Sequence, residues 1–142
     1  MVKGKNGKPT HFEELEHTAD WKIRVWGQDY ADLFRNAALA MYALMGEKRQ
    51  TGPEVERRVT VEGVDYPSLL VAWLNELLFH SEVYGEIYTD VEVHHISSER
   101  IDATVRGFIG ETELSKIKAA TYHELEIQET PTGVEATVVF DV

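Results

Sequence analysis

The sequence predicts an α+β fold in a single domain, with two helices packed on a largely antiparallel sheet, or on two sheets, of six to seven strands. Three observations predict it. The stretch from Tyr66 to His80 is apolar on most faces, with Leu70, Trp73, Leu74 and Leu77 at helical spacing. A second stripe at the same spacing runs from Tyr30 to Met45. Most of the remaining chain alternates apolar and polar residues in short runs separated by turn residues, the period of half-buried strands. The 142 residues, 43% of them hydrophobic, suffice for one core, and no internal repeat or boundary divides them.

Residues 1–10 mix Gly, Lys, Asn and Pro and are expected to form a flexible tail ahead of a domain over residues 11–142. The tail has charge but no apolar run, which argues against a secretory signal. Its Gly4–Thr10 fragment has no strand before it, and Pro9 stands where a phosphate loop would open its helix. Order is expected from near His11. Trp21, Ile23 and Val25 then alternate with Lys22, Arg24 and Trp26, predicting a strand over Trp21–Gly27. Asp29 caps the first helix, whose stripe of Tyr30, Leu33, Phe34, Ala37, Met41, Leu44 and Met45 ends at Gly46. The two helices are expected to compete for one sheet face. Lys48 to Pro53 is expected to be a loop, and Arg57–Gly63 a short strand with Val59 and Val61 inward.

Pro67 suits the first turn of the central helix, where its missing N–H costs nothing, and Gly85 its end. Ile87–Ile96 and Ile101–Ile109 predict a hairpin joined at Ser97–Arg100, with Val91, Val93, Ile101, Ala103 and Val105 inward. Glu111–Ser115 is poorly patterned. In Ile117–Gln128, Thr121, His123, Leu125 and Ile127 alternate with Tyr122, Glu124 and Glu126, predicting a strand that turns at Thr130-Pro131-Thr132-Gly133. The last strand places Val134, Ala136, Val138 and Phe140 on one face.

Composition narrows the function. Twenty-five acidic residues against 14 Lys and Arg give a formal charge of −11. Affinity for nucleic acid grows with the number of phosphates that cations neutralise, so strong direct nucleic-acid binding is not expected. Metal cations and proteins with a basic face suit such a surface. The absence of cysteine excludes disulfides, thiolate zinc sites and cysteine nucleophiles. Asn75 and Glu76 interrupt the apolar run short of the ~20 residues of a bilayer crossing, so no membrane is implied. A cytoplasmic location is the simplest expectation.

Six histidines raise the question of a metal, but no two lie four apart on a helix, and His94 and His95 are adjacent on a strand. Nucleophile-elbow, dinucleotide and calcium-loop patterns are absent too. Oxygen ligands are better supplied. Asp20, at the head of the first clear strand, either closes a turn or offers a carboxylate. Asp141 precedes the last residue, so its carboxylate neighbours the α-carboxylate of Val142, and two adjacent anions call for a cation or a basic side chain. Lys116 and Lys118 flank Ile117, as solvated partners of glutamates or as functional cations.

Four stretches together resemble the archease family. They are Glu16-His17-Thr18-Ala19-Asp20, Leu69-Leu70-Val71-Ala72-Trp73-Leu74-Asn75-Glu76-Leu77-Leu78, Lys118-Ala119-Ala120-Thr121-Tyr122-His123 and the terminal Val139-Phe140-Asp141-Val142, in the family's order. The resemblance implies a small cytoplasmic protein that is not itself an enzyme but a cofactor of the tRNA-splicing ligase. That ligase joins RNA ends bearing a 2′,3′-cyclic phosphate and a 5′-hydroxyl. The family promotes its guanylylation and repeated turnover and broadens its nucleotide use. The resemblance also implies a divalent metal, calcium by expectation, held by Asp20, Asp141 and the Val142 carboxylate, and ligase activation through Asp20, Lys118 and Asp141. Trp21-Lys22, Ala72 and a short loop before Lys118 depart from the family's usual residues. Two other classes compete with an activator: a metal-dependent hydrolase using the same carboxylates, and a chaperone-like interaction module.

Overall fold

The computed structural model describes residues 11–15, 21–113 and 117–142; the expected tail, Asp20 and Lys116 lie outside them. The order of elements is β1 (Phe12–Leu15), β2 (Trp21–Gly27), α1 (Tyr30–Leu44), β3 (Lys48–Glu62), α2 (Tyr66–Tyr84), β4 (Glu86–Ser97), β5 (Arg100–Thr112), β6 (Ala119–Thr130) and β7 (Gly133–Asp141). All pairings are antiparallel, in a four-stranded sheet ordered β1-β2-β7-β6 and a three-stranded sheet ordered β3-β5-β4. The predicted fold class is therefore what forms, in its two-sheet version.

The helices do not compete for one face. α1 packs on β2 of one sheet and β4 of the other, while α2 packs on β6 of the first and on β3, β4 and β5 of the second. Each helix thus bridges the two sheets, which explains why α2 is apolar nearly all round. Leu69, Leu70, Trp73, Leu74 and Leu77 are fully buried. Trp73 also donates its indole N–H to the carbonyl of Phe34 (3.0 Å), fixing the crossing of the two helices.

Both helices are capped as their sequences dictate. The Asp29 carboxylate accepts from the N–H of Asp32 at 2.8 Å. At α2, Asp65 accepts from the Ser68 N–H, and the Ser68 hydroxyl accepts in return from the Asp65 N–H. α2 stops at Gly85, whose φ of 70° is the left-handed conformation that glycine adopts without steric cost.

Two expectations are corrected. Lys48 to Pro53 is not a loop, and the strand that follows is not short. β3 begins at Lys48, pairs Lys48, Arg49 and Gln50 with Thr112, Glu111 and Gly110, and resumes at Glu54 after a register shift that accommodates Gly52 and Pro53. Proline cannot donate to a ladder but is tolerated on an outer strand at a bulge, which is its position here. The same pairing gives Glu111 and Thr112 to β5. The predicted alternation of β6 also breaks. Thr121 faces Val139 and Glu126 faces Thr137, so residues 122–125 bulge out, with Glu124 at a φ of 53°.

Candidate functional site

The end of β7 organises the site. Val138, Val139 and Phe140 are buried and hold the strand between its neighbours, with Phe140 opposite Trp21 of β2 and Ala120 of β6. One residue further on, Asp141 is exposed and pairs with Ala119, and Val142 is exposed beyond it. The Asp141 carboxylate is thus carried by a strand whose preceding residues are core.

Lys118 lies beside Asp141. Its backbone N–H donates to the Asp141 carbonyl at 2.8 Å, and its side chain is exposed. The short preceding loop therefore does not remove Lys118 from the strand end. Asp20 lies outside the described residues, while Trp21, the residue after it, is the partner of Phe140. Of the predicted site residues, the structure brings together Lys118, Asp141 and Val142.

Two features of this end were not predicted. The first is Asn75, which interrupts the apolar surface of α2. Its side-chain oxygen accepts the N–H of Ala120 at 2.7 Å, and its side-chain amide donates to the carbonyl of the same residue at 3.2 Å. A single amide in an apolar helix face is the available sequence signal, because a partly buried amide needs partners. The second is the β6 bulge. The hydroxyl of Thr121 donates to the Val139 carbonyl (2.9 Å), and immediately afterwards Tyr122 emerges 63% exposed. Lys22 reaches the carboxylate of Glu124 at 3.3 Å, tying the bulge to β2. Bulges commonly re-aim side chains beside functional sites, and a non-glycine residue at positive φ is a strained backbone that its surroundings must hold in place.

Chemically this end offers hard oxygen donors and a flexible primary amine. The Asp141 carboxylate is an oxygen donor of the kind that hard cations take. Among the described residues, no group of three or more His, Cys, Asp or Glu side chains is gathered to hold a metal. A groove of about 580 Å³ occurs elsewhere, at the opposite ends of β2 and β7, lined by His11, Arg24, Trp26, Asp32 and Glu135 among others. It shares no residue with the predicted site.

A separate polar cluster is structural. Glu86, buried, takes two hydrogen bonds from Arg57 (2.9 and 2.8 Å) and one from the Tyr88 hydroxyl. The bonded Arg57 guanidinium holds the Glu86 carboxyl below its ordinary range. Beside it His80 bonds Glu76 through Nε2 at 3.1 Å, and its Nδ1 is buried without a partner. Burial pushes the His80 imidazole below its usual value, and so does the Arg57 charge, against the opposing pull of Glu76 and Glu86. No helix of the described residues is long and apolar enough to cross a membrane.

Comparison with known proteins matches residues 12–142 to the model of the Archease protein family. An archease of Archaeoglobus fulgidus is 36% identical over 135 residues, covering 92% of this chain and 98% of the relative. An archease of Methanosarcina mazei is 34% identical over 139 residues, covering 92% and 95%. The solution structure of Methanobacterium thermoautotrophicum protein 1598 superposes with a TM-score of 0.71 at 31% identity, covering 93% of this chain and 99% of that one. A Thermotoga maritima structure described as an archease and possible chaperone has the same fold at 22% identity, with a TM-score of 0.66 and coverage of 92% and 96%.

Proposed function

The chain belongs to the archease family, and from that premise we propose that it is a non-catalytic activator of the tRNA-splicing ligase, acting through the end of β7. It promotes guanylylation of the ligase, lets it join 2′,3′-cyclic phosphate and 5′-hydroxyl RNA ends repeatedly, and broadens its nucleotide use. The observation that supports the reading is the backbone hydrogen bond from Lys118 to Asp141, which brings the main chains of these two exposed residues together at the strand end.

This chain's residues divide the work simply. Asp20, Asp141 and the Val142 carboxylate would hold a divalent cation, with calcium the candidate. Such a cation supplies positive charge for phosphate oxygens. Lys118 offers a second positive charge to the ligase or its nucleotide. The acidic surface leaves RNA to the ligase, whose basic face it complements. The test is ligation by purified ligase with substrate in excess, with and without this protein. Turnover that stops after about one round without the protein and continues with it supports the reading; the same course in both overturns it.

One observation favours a chaperone-like module instead. Phe79, Val83 and Tyr84 form an exposed apolar stripe on the second half of α2. Suppressed aggregation of an unrelated unfolding protein, abolished by Phe79→Ser, would speak for that reading.

A further inference from the structure

In the order β1-β2-β7-β6, β6 is the last strand, and among the described residues no strand lies on its far side to satisfy its outward backbone groups. At Ala120 those groups are not left to water. The side-chain amide of Asn75 meets both of them, donating to the C=O and accepting from the N–H as a neighbouring strand would. Asn75 lies on α2 between Leu74 and Leu77, which are fully buried, so its anchor is a helix packed into the core. The residue it grips lies two positions from Lys118, and the intervening Ala119 pairs with Asp141.

We propose that Asn75 is a positioning residue for the Lys118–Asp141 end: its amide substitutes for a missing strand and fixes the start of β6, and with it the place of Lys118 relative to the terminal carboxylates. The role rests on the reading that this end acts on the ligase. The bonds on the two sides of β6 are complementary. On the inner side Lys118 donates to the Asp141 carbonyl and Thr121 to that of Val139. On the outer side the Asn75 amide holds Ala120, just before the bulge at residues 122–125 interrupts the pairing. Without that grip, three regular residues would hold the segment between the bulge and the loop. Displacement of a functional group by about 1 Å can cost on the order of a hundredfold in activity, so a device that fixes backbone position has a measurable consequence.

The test compares full-length wild type, Asn75→Leu and Asn75→Asp. Leucine keeps the size and suits the helix but neither donates nor accepts; aspartate keeps the acceptor and loses the donor. Three readouts are taken: thermal melting, residue-resolved amide exchange, and ligation with substrate in excess. Asn75→Leu should melt cooperatively. Its exchange should quicken at Ala120 and also at Lys118, although the Asp141 carbonyl that Lys118 bonds is untouched. Its stimulation of the ligase should fall on the order of tenfold to a hundredfold, with Asn75→Asp between it and wild type. Protection lost at Ala120 but kept at Lys118 would overturn the proposal. Full stimulation by Asn75→Leu where Lys118→Ala stimulates poorly would overturn it equally. If Lys118→Ala and Asp141→Asn both stimulate fully, the activator reading is what fails, and exchange at Lys118 alone then decides for or against Asn75.

Discussion

The middle of α2 and the end of β7 are both built on buried apolar residues, yet they answer to different demands. Around Trp73 and Leu74 the burial is complete on all sides, and the one polar atom, the indole N–H, is spent on the Phe34 carbonyl. At the end of β7, burial stops between consecutive residues: Phe140 is fully buried and Asp141 is exposed. The difference teaches that the frontier between what folds the domain and what it presents is one residue wide: both faces of β7 are covered through Val138, Val139 and Phe140, and that cover ends at Asp141.

The contrast breaks first if the α2 core is dispensable. Trp73→Ala should cost about 3–5 kcal/mol, the range for deleting a buried aromatic, and lower the melting temperature with it. An unchanged melt would remove α2 from the centre of the fold.

Next in size is the polar cluster under the helix. Glu86→Gln should cost on the order of 1.5–3 kcal/mol, the worth of hydrogen bonds to a charged group. The wild type should also lose stability in acid, with a definite sign. Glu86 has a lowered folded pKa, so its contribution is present above the ordinary glutamate value and disappears as pH falls through the lowered one. His80 is lowered too, and below the ordinary imidazole value the unfolded chain takes a proton that the folded chain refuses. Both effects weaken the fold as pH drops. Melts from pH 7 to 4 should show His80→Leu losing less than wild type between pH 7 and 6; identical slopes there would remove His80 from the account.

At the strand end, stability and function should separate. Asp141→Asn and Lys118→Ala are surface changes and should shift stability by less than about 0.5 kcal/mol, while ligation in the presence of either variant stalls after about one turnover. If melting temperature and stimulation fall together, these residues belong to the fold and the contrast disappears. Smallest of all in stability should be removal of Val142. Its readout is calcium affinity by calorimetry, which should weaken, as it should when the Val142 carboxylate is amidated; equal affinity in the amidated chain excludes that carboxylate as a ligand.

Most of the architecture was legible in the sequence, for reasons that also explain the exceptions. α1 and α2 declare themselves because their stripes, caps and stops agree, and β2 and β7 because their alternation is unbroken. β3 was misread at its start because Gly52-Pro53 carries the chemistry of a loop, and only partnership with β5 reveals that it interrupts a strand. The alternation of β6 suggested a regular strand, since nothing local says that residues 122–125 leave the ladder. Asp141 and Lys118 could be named from resemblance, but their pairing is a matter of register between strands that only the fold fixes. Asn75 appeared in the sequence as a break in an apolar run; its partner is a backbone, and a backbone has no signature.

The register shifts have a consequence of their own. Among the described residues they fall on β3, β4 and β6, while β2, β5 and β7, which have a strand on either side, pair without one on their inner tracks. The remaining outer strand, β1, spans four of the described residues. A flat outer strand is a template on which a second molecule can crystallise its own backbone, and the usual end of that process is a fibril. Here the register of each long margin is interrupted, and the one at β6 is gripped at Ala120 by a side chain. Interrupted margins of this kind disfavour the edge-to-edge recruitment of identical copies that a regular ladder at the rim would invite.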